Sequence, residues 1–257
     1  ITYVSRADWE GTDVTERPEW KDASEEIIDA LENPKFPVND SDEPITFAKN
    51  GLTVDDMKGL DYDDPQWEKL LEQLSVDDMV QLTGFGGFAT AEVSSVGKYK
   101  TMDTDGPAGI NGLVNGASGI QYTSAVTLAS TWNQELAQRL GESMSNEAKE
   151  YGVSGLYAPA MNIHRTAFGG RNFEYYSEDG VLAGKTAAGF ARGTAKNGIY
   201  CYIKHFALDN QETNRENVCV WTSEQAIREV YLKAFELAVK EGNATAVMDA
   251  DSRIGTD

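Results

Sequence analysis

Six polar residues stand at the ends of three apolar runs. Asp105 closes the first, Asn162, Arg165 and Arg171 follow the second, and Lys204 with His205 closes the third. Taken singly, each has an ordinary structural explanation. Asp105-Gly106-Pro107 reads as a turn, His205 as a core imidazole and Lys204 as the partner of a nearby carboxylate. As a set they share a chemistry: a carboxylate that accepts two hydrogen bonds, beside arginine, lysine and histidine donors, is what vicinal sugar hydroxyls require. The expected ligand is a carbohydrate. Phe168, Phe173, Tyr175, Tyr176 and Phe206 lie beside these residues and offer either a stacking face for a sugar ring or ordinary core packing.

These side chains converge only if the runs are strands of one sheet. Apolar runs at 100–105, 156–163, 199–205 and 244–248 alternate with helical periodicity at 132–151, 181–196 and 223–240. For the last helix, Thr222 and Gln225 suggest a capping box, Ile227, Val230, Tyr231, Ala234, Leu237 and Ala238 a buried stripe, and Gly242 a stop. Upstream, Trp67, Leu70, Leu71 and Leu74 mark one amphipathic helix, and Ser75 with Asp78 starts another. This rhythm predicts an α/β fold with a parallel sheet, either doubly wound or a (β/α)8 barrel. Gly84, Gly86 and Gly87 match neither glycine-rich phosphate loop, which weighs against a doubly wound nucleotide binder. In a barrel the carboxyl ends of the strands share one mouth, where active sites are built.

The chain of 257 residues suffices for one large domain or two small ones, with enough length to bury a core. Asp and Glu outnumber Lys and Arg by 42 to 22, a net charge of -20, which speaks against nucleic acid or an anionic membrane as partner. Only two histidines, His164 and His205, and two cysteines, Cys201 and Cys219, are present, without H-E-x-x-H or C-x-x-C spacing. No metal or other cofactor is expected, and both cysteines are read as buried thiols. No apolar run approaches the about 20 residues that span a bilayer. The chain begins at Ile1 and shows no signal-peptide pattern; the compartment is left open, with the cytoplasm favoured. The acidic, proline-containing residues 1–59 read as an approach segment wrapping a neighbouring domain, or as a flexible linker, and residues 60–257 as the barrel part.

The order of residues is itself informative. The run Tyr157-Ala158-Pro159-Ala160-Met161-Asn162-Ile163-His164-Arg165, then Gly169-Gly170-Arg171-Asn172-Phe173-Glu174 and Ser177-Glu178-Asp179, resembles glycoside hydrolase family 3. Met102-Asp103-Thr104-Asp105-Gly106-Pro107, Ala129-Ser130-Thr131-Trp132-Asn133, Glu147 with Gly152, Lys204-His205-Phe206, Asp209-Asn210-Gln211-Glu212 and Ala246-Val247-Met248 also keep the family's order. The likeness covers residues 60–248. It implies a partial (β/α)8 barrel, about the first half, and an exo-acting retaining β-glucosidase as the parent activity. It also implies that Asp105, Arg171, Lys204 and His205 hold the hydroxyls of the non-reducing terminal sugar, with Arg165 and Met248 lining the same pocket. The family's β-N-acetylglucosaminidase branch continues Lys-His-Phe with Pro-Gly-His-Gly. Here Ala207-Leu208-Asp209-Asn210 follow, so the β-glucosidase and β-xylosidase branch fits better. Residues 1–12 look like the segment that enters the barrel in members whose sandwich domain comes first.

A retaining glycosidase needs two carboxyl groups about 5 Å apart. The resemblance implies a nucleophilic aspartate beyond Asp257 and an acid/base glutamate from the sandwich domain, so no catalytic residue is assigned on this chain. The expected partners are a β-glucoside or oligosaccharide, the remaining barrel strands with the sandwich domain, or a second copy of the chain, because half a barrel exposes two unpaired edges. After Met248 the family carries Ser-Ser-Phe-Asn or Ser-Tyr-Asn, whereas this chain reads Asp249-Ala250-Asp251-Ser252. Asp251 is expected in a solvated turn rather than as a displaced nucleophile. The competing functions are a β-xylosidase or other exo-glycosidase, and a non-catalytic sugar-binding fragment.

Overall fold

The computed structural model describes residues 23–35 and 47–255. Of the expected approach segment, residues 1–22 and 36–46 lie outside the described residues. Helix α1 (Glu25–Glu32) is capped by Ser24, and α2 (Gln66–Leu71) and α3 (Val76–Gly84) form where two helices are expected, although α2 ends before Leu74 and leaves Leu71 exposed. The capping box at α3 forms as expected, with Ser75 and Asp78 satisfying each other's backbone N–H groups. Met57, Leu70, Val93 and Val96 make a small core here, against which Leu52, Val54 and Trp67 pack.

The main sheet runs β1 (Ala89–Thr90), β2 (Thr101–Asp105), β3 (Gly155–Tyr157), β4 (Tyr200–Phe206) and β6 (Ala246–Asp249), in that spatial order. β1 pairs antiparallel with β2; all other pairs are parallel. Between the parallel strands lie α4 (Ala125–Ala129), α5 (Gln134–Glu150), α6 (Gly180–Ala195), and α7 (Glu224–Ala226) joined to α8 (Leu232–Gly242) by a π-helical turn. This is the expected α/β architecture, a curled sheet forming part of a (β/α)8 barrel. A separate parallel ribbon pairs β5 (Cys219–Val220) with β7 (Arg253–Ile254).

The helix layer is assembled from small residues. On α6, a Cβ at Gly193 would fall on the Gln138 carbonyl of α5 and within 2.8 Å of Glu142 N, while one at Gly184 would lie 2.7 Å from Leu237 Cβ of α8. Backbones therefore touch on both flanks of α6. Leu156, Cys201 and Ile203 pack the outer face of the sheet against this layer, with Met144, Phe190 and Phe235 filling the core. The inner face carries Asp103, Asp105, Tyr157, Tyr200, Tyr202 and Lys204, as the period of two along each strand dictates.

Four local expectations are corrected. The strand predicted at 156–163 stops at Tyr157, because Pro159 has no N–H for a ladder; the chain continues beside β4 through a single bridge from Ala160 to Lys204. The last helix is capped by Ser223, whose hydroxyl accepts from Ala226 N at 3.2 Å, one residue after Thr222. It ends at Asn243 in the left-handed region (φ 59°), an amide side chain tolerating what Gly242 was expected to supply. Gly242 instead lies against α6, where a Cβ would meet Ala188 Cα at 2.7 Å. Cys201 is buried as expected, but Cys219 is only half-buried because it sits in the β5–β7 ribbon rather than in the core.

Candidate functional site

Two clusters form at the carboxyl ends of β2, β3 and β4. In the first, Lys204 donates from Nζ to Asp105 Oδ1 at 2.7 Å, and Gly106 N donates to the same oxygen at 2.9 Å. The lysine side chain is 2% exposed and the aspartate 44%. The ammonium is thus sunk in the wall while the carboxylate keeps a free edge at the mouth. The loop after β2 folds back onto this site, with Asn111 N donating to Asp105 O at 2.8 Å and Asn115 Nδ2 to Asp103 O at 2.9 Å.

The second cluster centres on His205. Arg171 Nη2 lies 2.9 Å from His205 Nε2, and Tyr175 Oη lies 3.0 Å from both His205 Nδ1 and Asp209 Oδ2. Burial, reinforced by the charges of Arg171, Lys204 and Arg215, pushes the imidazole down to about 2. The ring is therefore neutral. A guanidinium can only donate, so Nε2 accepts from Arg171 and Nδ1 carries the hydrogen. The chain of bonds then has one direction: Arg171 to His205, His205 to Tyr175, and Tyr175 to Asp209. The main chain of His205 is clamped as well, its N donating to Asn162 Oδ1 at 2.6 Å and its O accepting from Asn162 Nδ2 at 2.7 Å.

Arg171 is surrounded by carboxylates. Its Nε donates to Glu174, and Asp209 and Glu212 stand 3.8 and 3.9 Å from its guanidinium. Burial is the largest single influence and disfavours its charge, but the bond to Glu174 together with the charges of Tyr175, Glu174 and Glu212 raises its pKa on balance. Burial raises Asp209 against the opposing pull of the Tyr175 bond and Arg171. Asp209 Oδ1 has no hydrogen-bond partner among the described residues.

Arg165 lines the same cavity as Arg171, Tyr175 and Asp209, while its guanidinium donates to the Tyr231 hydroxyl and lies 5.9 Å from that ring. Met248 is on β6, on the face shared by Tyr202 and Lys204 through the register Tyr202 to Ala246, and it is exposed. Asp251, expected in a solvated turn, pairs with Arg215 at 2.8 Å, and Arg215 also holds Glu212 at 3.1 Å. Of the expected stacking aromatics, Tyr175 and Tyr176 are buried and Phe206 packs edge-on against Phe235 at 5.1 Å. Phe168 and Phe173 remain exposed. Asn162, expected at the strand end, and Tyr175, expected as a stacking or core ring, serve as supports of the site, and Asp209 and Glu174, to which the sequence assigns no role, join them. Their positions in the run from Asn162 to Glu174 and after Lys204-His205 were the available signal.

The partial barrel that carries this mouth has matches among known proteins. Residues 101–254 match the Glycosyl hydrolase family 3 N terminal domain, and the chain belongs to that family. Beta-glucosidase B of Emericella nidulans is 39% identical over 191 residues, covering 73% of this chain and 23% of that protein. An exo-alpha-(1->6)-L-arabinopyranosidase of Bifidobacterium longum is 35% identical over 195 residues, covering 72% of this chain and 26% of that protein. Among solved structures, beta-glucosidase 3B from Thermotoga neapolitana, in complex with alpha-D-glucose, superposes with a TM-score of 0.67 at 40% identity, over 74% of this chain and 30% of that one. The chain spans about a quarter of the length of the curated relatives it matches.

Proposed function

We propose that this chain supplies the sugar-binding pocket of an exo-acting, retaining β-glucosidase, and that Asp105, Arg171, Lys204 and His205 hold the terminal glucosyl unit, with Arg165 and Met248 at its margin. The observation that carries the reading is the Asp105–Lys204 pair, an acceptor with an open edge held by a buried cation at the mouth. Asp105 accepts from sugar hydroxyls; Lys204 fixes the carboxylate and donates to a neighbouring oxygen. Neutral His205 holds Arg171 in the pocket wall, so that turning the guanidinium toward sugar frees Nε2 for a hydroxyl. The bond-breaking carboxylates come from the rest of the protein, and the remaining barrel strands cover the apolar groove of Phe206, Leu232, Phe235 and Val247 beside the open edge of β6. Residues 1–59 form the approach from a neighbouring domain and residues 60–257 the barrel part.

The test is Asp105→Ala in the complete protein. Removing the carboxylate strands a buried ammonium and loses sugar hydrogen bonds, so kcat/KM on an aryl β-glucoside falls by about a hundredfold or more. An unchanged kcat/KM overturns the assignment. The arabinopyranosidase among the relatives favours one further reading, another exo-acting pyranosidase. Glucose, xylose and arabinopyranose differ by a hydroxymethyl group or a single hydroxyl orientation, and parallel assays on the three aryl glycosides separate them.

A further inference from the structure

Asp103 has no part in the sugar contacts above, yet the inner face of the sheet is organised around it. It precedes Asp105 by two residues on β2, shares its face and is 2% exposed. Each carboxylate oxygen has its own donor, Tyr200 Oη at 2.8 Å to Oδ1 and Tyr202 Oη at 2.9 Å to Oδ2. Both tyrosines belong to β4, which is not the neighbour of β2; β3 lies between them. The bonds cross β3 at Gly155, which is in register with Asp103 on one side and Tyr200 on the other. A Cβ at Gly155 would fall on the Tyr200 ring and 2.6 Å from Asp103 Oδ1. The missing side chain is what lets the two strands reach each other. Two residues further toward the mouth, the same strands are bridged again by Asp105 and Lys204. Asp103–Tyr202 and Asp105–Lys204 are successive rungs of one ladder.

We propose that Asp103 is a positioning residue for the pocket: by binding Tyr200 and Tyr202 across Gly155, it sets the separation of β2 and β4 at which Lys204 meets Asp105. This rests on the sugar-binding reading of Asp105 and Lys204. With Lys204 buried, no water replaces a lost partner, and a displacement of about 1 Å takes the 2.7 Å contact outside hydrogen-bonding range. The lower rung transmits strand spacing; the upper rung meets the ligand.

The experiment uses the complete protein and glucose as a competitive inhibitor of aryl β-glucoside hydrolysis, with the thermal midpoint recorded in parallel. The variants are Asp103→Asn, Tyr202→Phe, Asp105→Ala, and each of the first two combined with the third. Asp103→Asn and Tyr202→Phe are expected to weaken glucose inhibition by about tenfold. Once Asp105 is alanine, the same changes add less than about twofold, because their effect runs through that residue. An unchanged inhibition constant with a lowered midpoint, or an equal factor in both backgrounds, overturns the proposal and leaves Asp103 a framework residue. Tyr202→Phe keeps the Tyr200 bond and decides the matter if Asp103→Asn does not fold. An unchanged inhibition constant for Asp105→Ala alone refutes the sugar-binding reading and the proposal with it.

Discussion

The neutrality of His205 has a stability consequence that is open to direct measurement. The perturbation is a fall in pH from about 7.5 to about 5. In the unfolded chain the imidazole titrates at its ordinary 6.5, whereas in the folded protein burial and the neighbouring cations hold it at about 2. Between those values the unfolded state binds a proton that the folded state refuses, so the stability contributed by this group is fully present above about 6.5 and is lost as pH falls toward 2. Each pH unit below 6.5 is worth about 1.4 kcal/mol, giving about 2 kcal/mol at about pH 5. Asp209 acts with the opposite sign. Its raised pKa means that the folded state takes up its proton first, which offsets part of the loss at the acid end. The assay is urea unfolding of the complete protein and of His205→Gln, whose amide oxygen still accepts from Arg171, at both pH values. The variant has no imidazole to charge, so the wild type should lose about 2 kcal/mol more than it does between the two conditions. Parallel losses, equal to within about 0.5 kcal/mol, refute the neutral, buried imidazole.

Two further outcomes are expected. Tyr175→Phe removes the hydroxyl that joins His205 Nδ1 to Asp209 Oδ2, and Asp209 already has one oxygen without a partner among the described residues. Unfolding measurements should show a loss of about 2–4 kcal/mol, and a loss under about 0.5 kcal/mol speaks against the directed chain of bonds. Gly193→Ala pushes a methyl group into the α5 backbone at Gln138 and Glu142. It should destabilise by about 1–3 kcal/mol or more, whereas Gly198→Ala, where the added carbon meets nothing within 4 Å, tests only the left-handed backbone at φ 72°.

The parallel sheet and the site residues at its carboxyl end were legible because each depends on local pattern. Apolar runs give strands, helical periodicity gives the layer behind them, and Asp105, Lys204 and His205 stand out as charged or titratable residues where such runs end. What depended on register was hidden. Asp103 looks like one more strand residue until β3 is known to separate it from two tyrosines of β4. Tyr175 reads equally as a stacking ring and as a core residue; only its hydroxyl, placed between His205 and Asp209, distinguishes a third role. Arg215 and Asp251 are 36 positions apart, with helices and strands between them, and their pairing follows from the loops that β4 and β6 bring together. The choice of Ser223 over Thr222 as cap is a one-residue question that the pattern does not resolve.

The contact of α6 with backbone on both flanks bears on how such a pocket diversifies. Its seams with α5 and α8 admit no larger side chain, so this layer resists drift in sequence even where it lies far from any ligand. On the proposed sugar-binding reading, variation in preference is thereby channelled into the loops after β2, β3 and β4, which carry the mouth. For recombination between relatives, a crossover belongs in the loop after β2, and the segment from Gln134 through Gly242, which holds both seams, belongs in one inherited block.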